Sequence, residues 1–373
     1  MNNGQMAFGN KSSFKKPRPK CNSKPSEPLN TANPVKVLSL FAGCGGMDHG
    51  VHLAGGHTIW ANECNKWAVQ TYEKFFTNTK LVPKPIEQVN LDEELPKKGE
   101  VEVICGGFPC QDFSMIWKRP GLKGTRGNLY TYFVEIVQRL EPLAFIAENV
   151  KGLLSANQGK AIETIINDFD TCGYRLNQDD LVYNFAEYGT PQLRERVLII
   201  GIRKDLGIKF ERPQRTHAPR EKAKLAGLLP YKDAQTALQG ANKVRYNNEQ
   251  QNIKKSTVEL LKLIPPGGNF TSVPPDHPQY VKGMISHVYR RLHPKQPSTT
   301  IIAGGGGGTW GYHFAEPRSL TNRERARLFD FPDKMQFFGP IGEVRRQIGN
   351  AVPPSGIQPV ARKLFEMIEP FRK

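Results

Sequence analysis

The chain has 373 residues, with 52 Lys and Arg against 35 Asp and Glu, for a net charge of +17 and a pI near 9.6. That surplus favours polyanionic partners, nucleic acid first among them, and the length suits roughly two domains. The six cysteines form no CxxC pair or zinc-spaced cluster. The N-terminus lacks a signal-peptide core, and no apolar run nears the ~20 residues of a bilayer span. A secreted disulfide scaffold, a zinc module and a membrane protein are thereby disfavoured, and a reducing cytoplasm is expected.

Residues 1–33 hold six basic side chains and one acid, Glu27, with few aromatics, and are expected to form a disordered basic tail. Most of the excess charge therefore belongs to the folded part. From Pro34 the pattern alternates between strands and helices. Val35–Phe41 reads as a strand, and Ala42-Gly43-Cys44-Gly45-Gly46 turns into a helix running to Gly55-Gly56. His57–Asn62 is a second strand, ending in Glu63, and Asn65 caps a helix through Phe76. Val101-Glu102-Val103-Ile104-Cys105 reads as a buried strand closed by a Gly106-Gly107 turn. A polar loop, Asp112 to Asn128, precedes a helix over Leu129–Leu140 and a strand, Ala144–Ala147, that runs into Glu148-Asn149-Val150. A helix near 158–171 and strands near 176–184 and 196–202 follow. This order predicts an α/β domain with a mostly parallel sheet.

Residues 204–317 are rich in Pro, Gly, Lys, Asn and Gln, with one modest helix near 252–264 and a run from Gly304 to Gly308. They read as a second, less regular and more basic domain. Thr321 and Glu324 form a capping box that opens a helix to Phe329, and an amphipathic helix ends near Phe371.

Three clusters carry chemistry. Phe41-Ala42-Gly43-Cys44-Gly45-Gly46 lies between a strand and a helix, where a nucleotide-like cofactor meets a helix N-terminus. Asp48 occupies the third glycine position of a dinucleotide fingerprint, which disfavours a pyrophosphate and an NAD oxidoreductase. Glu63 is placed to accept hydrogen bonds from ribose hydroxyls, although a tight turn made for packing alone fits the same residues. Cys110 follows Pro109, which restricts its own φ and that of Phe108. A lone thiol in such a context is more often an inert packing residue than a nucleophile. If the strands ending at Gly107 and Glu148 are neighbours, thiol and carboxyl share one crevice, as nucleophile and general acid. In Gln192-Leu193-Arg194-Glu195-Arg196, alternation sends Gln192, Arg194 and Arg196 to one face, to bind phosphate, lower a thiol pKa, or pair with surface acids.

Taken together, these blocks resemble the DNA (cytosine-5) methyltransferases, from Val35 to about Val360. The matching stretches are FAGCGG (41–46), NE (62–63), GGFPCQDFS (106–114), ENV (148–150), QLRER (192–196), RSLTNRERARLFDFPD (318–333) and QIGNAVPP (347–354). The resemblance implies a Rossmann-like S-adenosylmethionine domain, residues 34–203 completed by 341–373, and a smaller target-recognition domain with its hinge over 204–340. It implies catalytic roles for Cys110, Glu148, Arg194 and Arg196, with Arg194 positioning the base. Phe41, Ala42, Gly43, Gly45, Gly46, Glu63, Ile86, Pro109, Asn350 and Val352 would hold the cofactor. Gln111, Ser114, Arg119, Gln192, Thr299 and Thr300 would meet DNA, and the 112–128 loop would close over it. No metal is implied. One departure stands out: Pro85 occupies the family's usual Asp position, which shifts adenine recognition to Glu87 or backbone.

The expected partner is double-stranded DNA, with a cognate restriction endonuclease acting on the same site without a stable complex. The expected enzyme is a monomer in a bacterial cytoplasm with no membrane partner. An RNA cytosine-5 methyltransferase on the same scaffold and a non-catalytic DNA-binding module are the alternatives. Candidates for base reading, Arg215, Arg245, Arg290 and Gln296, come in no order that defines a target sequence.

Overall fold

The structure, a computed structural model, describes residues 32–109, 129–283, 288–304 and 311–373. Cys110, Gln111, Ser114 and Arg119, with the rest of the 112–128 loop, the tail up to residue 31 and Gly305–Gly308, lie outside the described residues.

The apolar runs of the first 203 residues form β1 (Val35–Leu40), β2 (Gly56–Asn62), β3 (Lys80–Val82), β4 (Val103–Gly107), β5 (Ala144–Val150), β6 (Tyr174–Leu176), β7 (Val182–Asn184) and β8 (Glu195–Arg203). The helices are α1 (Gly46–Leu53), α2 (Lys66–Phe75), α3 (Leu129–Leu140), α4 (Lys160–Thr171), α5 (Arg220–Ala226), α6 (Ala234–Leu238), α7 (Lys255–Leu263), α8 (Asn322–Leu328), α9 (Ile341–Asn350) and α10 (Pro354–Ile368). The sheet order is β3-β2-β1-β4-β5-β8-β6, with β7 also on β8. The first five strands of that order are parallel, and β8 runs antiparallel to β5, β6 and β7. The chain winds outward from β1 to β3, then returns to add β4 and β5 on the other side of β1. That reversal opens a crevice at the C-terminal ends of β1 and β4, where sheets of this kind bind ligands.

Alternate residues of each strand feed opposite layers. Leu38, Leu40, Ile104, Phe145, Val197 and Ile199 belong to a core with α3 and α4. Val37, Val103, Cys105, Ile146, Leu198 and Ile200 belong to another with α1 and α10. The C-terminal helix thus covers the sheet beside the first helix of the chain.

Three local readings change. The first helix stops at Leu53, before Gly55 turns left-handed at φ 99°. β4 runs through Gly106 and Gly107 rather than stopping before them, because the glycines permit close approach: a Cβ on Gly106 would lie 2.5 Å from the Leu40 carbonyl oxygen. The single strand expected near 176–184 is two, β6 and β7. Between them the Asn177 side chain replaces a ladder rung, donating to the Leu198 carbonyl (3.1 Å) and accepting from the Ile200 N–H (2.8 Å).

Beyond Arg203, α7 was legible and α5 and α6 were not. The missed signal for α6 is Asp233, whose carboxylate accepts the Thr236 N–H at 2.8 Å. A small core of Leu260, Leu261, Ile264, Phe270, Val273, Val288 and Tyr312 surrounds α7. Buried Arg291 donates to the carbonyls of Leu261, Ile264, His313 and Phe314, tying that core together. The Thr321/Glu324 capping box forms as expected at the start of α8. Among the described residues no helix is long and apolar enough to cross a membrane, and no cluster of three metal-ligating side chains occurs.

Candidate active site

A cavity of about 470 Å³ opens at the C-terminal ends of β1, β4 and β5. One side is the glycine turn. Phe41 leaves β1 in a left-handed conformation (φ 55°), rare for a bulky residue, and the Ala42 N–H donates to the Asn62 carbonyl at 2.9 Å. Gly45 is also left-handed (φ 83°), and a Cβ there would sit 2.1 Å from the Phe76 ring; one on Gly46 would meet the Val352 carbonyl oxygen at 2.4 Å. The turn therefore packs against α2 and the C-terminal block while exposing its other surface to the cavity.

Glu63 binds the turn from β2. One carboxylate oxygen accepts the Gly43 N–H (2.8 Å), and the other accepts those of Cys64 (2.9 Å) and Asn65 (2.7 Å). A carboxylate has about four acceptor sites, so one remains for a ligand hydroxyl. Asp48 behaves otherwise than its place in the motif suggests. Its buried carboxyl accepts from the Ser39, Thr58 and Tyr72 hydroxyls at 2.9–3.0 Å, joining β1, β2 and α2, and burial pushes its pKa up. It is a scaffold group and does not line the cavity.

Asn350, Ala351 and Val352 close the cavity from α9 and its C-terminus, joined by Gln347, which the sequence reading did not single out. The Thr71 hydroxyl donates to the Gln347 side-chain oxygen (2.7 Å), and the Gln347 amide donates to the Phe338 carbonyl (2.8 Å), so the wall is anchored to α2. Ile86, expected to touch the cofactor, is instead buried in the α3 core and does not line the cavity. The short 3₁₀ turn Ile86–Gln88 folds it inward.

The other side carries the reactive groups. β4 and β5 are neighbours and pair Gly107 with Glu148, so the residues leading to Cys110 and the Glu148 carboxyl share one sheet edge. Glu148 accepts from Arg196 Nε at 2.9 Å, both side chains nearly buried. Burial raises the Glu148 pKa, opposed first by Arg196 and then by Arg194. A Cβ on Gly107 would stand 2.9 Å from a Glu148 carboxylate oxygen, so only glycine leaves that group its place. Phe108 is buried and packs edge-on against Tyr130 and Phe133, with ring centroids 5.2 and 6.0 Å away, and Pro109 lines the cavity.

The QLRER block divides in a way its spacing did not disclose. Arg196 faces Glu148. Arg194 is 1% exposed, and its guanidinium donates to the carbonyls of Ile301 (3.1 Å), Gly349 (2.8 Å) and Ala351 (3.1 Å), over the Phe329 ring. Desolvation lowers its pKa to about 9. Its side chain is thus enclosed and does not line the cavity, whereas that of Arg196 reaches Glu148. Gln192 is fully buried, donating to the Leu328 carbonyl (3.2 Å) and accepting from the Ile301 N–H (3.0 Å), and has no surface to offer DNA. Thr299 and Thr300 are exposed beside this seam, with the Thr300 hydroxyl on the Leu193 carbonyl at 2.8 Å.

Residues 35–366 match the family model of C-5 cytosine-specific DNA methylases. The chain belongs to that family. It is 54% identical over 336 residues to the type II methyltransferase M.NgoFVII of Neisseria gonorrhoeae, covering 90% of this chain and 88% of that one. Its identity to M.BbvI of Brevibacillus brevis is 41%, over 88% of this chain and 91% of the relative. Among solved structures, a putative DNA modification methyltransferase of an E. coli prophage superposes with a TM-score of 0.67 at 22% identity, over 90% of this chain and 99% of that one. The S. pombe Dnmt2 methyltransferase does so at 0.58 and 16%, over 91% and 100%, and both share the fold. The protein is accordingly a DNA (cytosine-5-)-methyltransferase, and its cofactor is S-adenosylmethionine. The cavity fits that group: it offers one free carboxylate acceptor at Glu63, a glycine turn, and apolar walls from Leu40, Phe41, Met47 and Val352.

Proposed function

We propose that the chain methylates C5 of a cytosine drawn out of duplex DNA within one defined sequence, through a covalent bond from Cys110 to C6. The observation that carries this reading is the Glu148–Arg196 pair at the sheet edge where Phe108 and Pro109 lead into Cys110. C5 of cytosine is a weak nucleophile. Addition of the Cys110 thiolate to C6 breaks the ring's aromaticity and pushes electrons toward N3, making C5 enamine-like. Glu148, whose pKa burial raises from the usual carboxylate range, supplies a proton to N3 as that charge develops. Arg196 orients Glu148 and positions the base. S-adenosylmethionine, when bound, supplies the sulfonium methyl that C5 takes. Loss of the C5 proton to solvent, return of the N3 proton to Glu148 and β-elimination then release Cys110 as the thiolate. Glu63, Phe41, Gly43, Asn350 and Val352 hold the cofactor on the opposite wall.

The type II relatives support a modification enzyme paired with a restriction endonuclease of the same specificity; the same reading takes it as a monomer in a bacterial cytoplasm. On this reading residues 34–203 and 341–373 bind cofactor, and 204–340, with Thr299 and Thr300, reads DNA. The test is incubation with labelled cofactor and duplexes carrying 5-fluorocytosine in mixed contexts. Because fluorine cannot leave as a proton does, the expected result is a trapped protein–DNA complex. A trap on RNA but not on DNA would overturn the DNA assignment.

A further inference from the structure

Where β4 ends, something must replace the sheet in holding the chain, because the backbone ladder with β5 stops at Gly107 and Glu148. The next rung would join Phe108 to Asn149, and there a side chain takes over. Asn149 Nδ2 donates to the Phe108 carbonyl at 2.9 Å, while its Oδ1 accepts the Val150 N–H at 2.8 Å. Asn149 is 3% exposed, and its carboxamide cannot turn over, since the reverse orientation sets oxygen against the Phe108 carbonyl. The peptide that precedes Pro109 is thus held by its carbonyl, the Phe108 ring by Tyr130 and Phe133, and the next φ by the proline ring. One more peptide bond reaches Cys110.

We propose that Asn149 is a positioning residue: its amide donor to the Phe108 carbonyl fixes the line along which the chain enters Cys110, and so governs the rate of thiolate attack rather than cofactor or DNA affinity. The inference rests on the covalent reading given above. Chemistry makes the demand. Attack on C6 needs the sulfur within a few tenths of an ångström of its reactive distance, and a misplacement of about 1 Å costs on the order of 100-fold in rate. Glu148 is fixed separately by Arg196, so loss of the Asn149 bond moves the nucleophile relative to its acid without removing either.

The experiment compares the rate of covalent trapping on mixed-context 5-fluorocytosine duplex DNA for the parent, Asn149→Ala and Asn149→Asp, alongside melting temperature, cofactor affinity and noncovalent DNA affinity. Asn149→Ala is expected to trap on the order of 100-fold more slowly, with both affinities changed by less than about threefold. Asn149→Asp supplies a readout that a purely structural role would not move. As a carboxylate it repels the Phe108 carbonyl; once protonated it donates to it again. Its trapping rate relative to the parent should therefore climb as the buffer is acidified, whereas that of Asn149→Ala stays level. The inference is overturned if Asn149→Ala traps within about threefold of the parent, or if the Asn149→Asp ratio is as flat with pH as the alanine ratio. A parent that traps no DNA would overturn the covalent reading and this inference together; a parent that traps while its variants keep pace overturns the inference alone.

Discussion

At the C-terminal edge of β5, Arg196 reaches the Glu148 carboxylate beside a cavity and also donates to the Glu195 carbonyl, while Arg194, two residues earlier, has its guanidinium enclosed and bound to three backbone carbonyls. The contrast extends to whole regions. On the seam and in the second region, Arg291 and Arg323 repeat the pattern of Arg194, each donating to carbonyls at helix ends or in irregular segments. At the sheet edge, polar groups meet each other or the cavity. Irregular chain leaves carbonyls without ladder partners, and a buried arginine with five donors satisfies several at once. A basic composition therefore has two causes here, and only one concerns DNA.

Substitutions can separate the two regions. The largest effect is expected at Cys110. Cys110→Ala should lower methyl transfer by at least about 10⁴-fold while DNA binding, followed by anisotropy, persists. Glu148→Gln keeps the shape but removes the proton donor, and kcat should fall by about 10²–10⁴-fold in a steady-state methylation assay. Arg194→Met should act on stability instead. It strands the carbonyls of Ile301, Gly349 and Ala351, and urea denaturation should report a loss of about 3 kcal/mol.

The smallest effect concerns Asp48. Its folded pKa is raised by burial, so the folded protein holds that proton more tightly than the unfolded chain, and stability falls as pH climbs above 3.8. Asp48→Asn removes that slope while losing acceptor strength toward Ser39, Thr58 and Tyr72. The variant's stability deficit should therefore narrow as pH rises, by about 1.4 kcal/mol for each pH unit between the ordinary and the raised pKa. A widening gap would show that the hydroxyl bonds outweigh the cost of burying the charge.

Much of the catalytic domain was legible because its signals are local. Apolar runs, glycines and the Asn65 cap placed most of the strands and α2, while the adjacency of β4 and β5, left open in the sequence, is given by the order of winding. The division of labour between Arg194 and Arg196 was not legible. Alternation put both on one face, and only the return of residues 301 and 349–351 to that face decides which one is enclosed. The scaffold role of Asp48 was hidden for the same reason, since Tyr72 and Thr58 reach it from other elements. Asn149 was read as part of a motif, yet its partner lies 41 residues away.

The central claim, that Arg196 serves the reaction and Arg194 the scaffold, is tested most directly by the rate of covalent trapping per folded molecule in Arg194→Met and Arg196→Met. Loss of one charged donor at a reacting site costs on the order of 100-fold, and Arg196→Met should show that loss with little change in stability, because Glu148 can take up a proton. Arg194→Met, corrected for its unfolded fraction, should trap within about threefold of the parent. A slow Arg194→Met beside an unimpaired Arg196→Met would contradict the assignment.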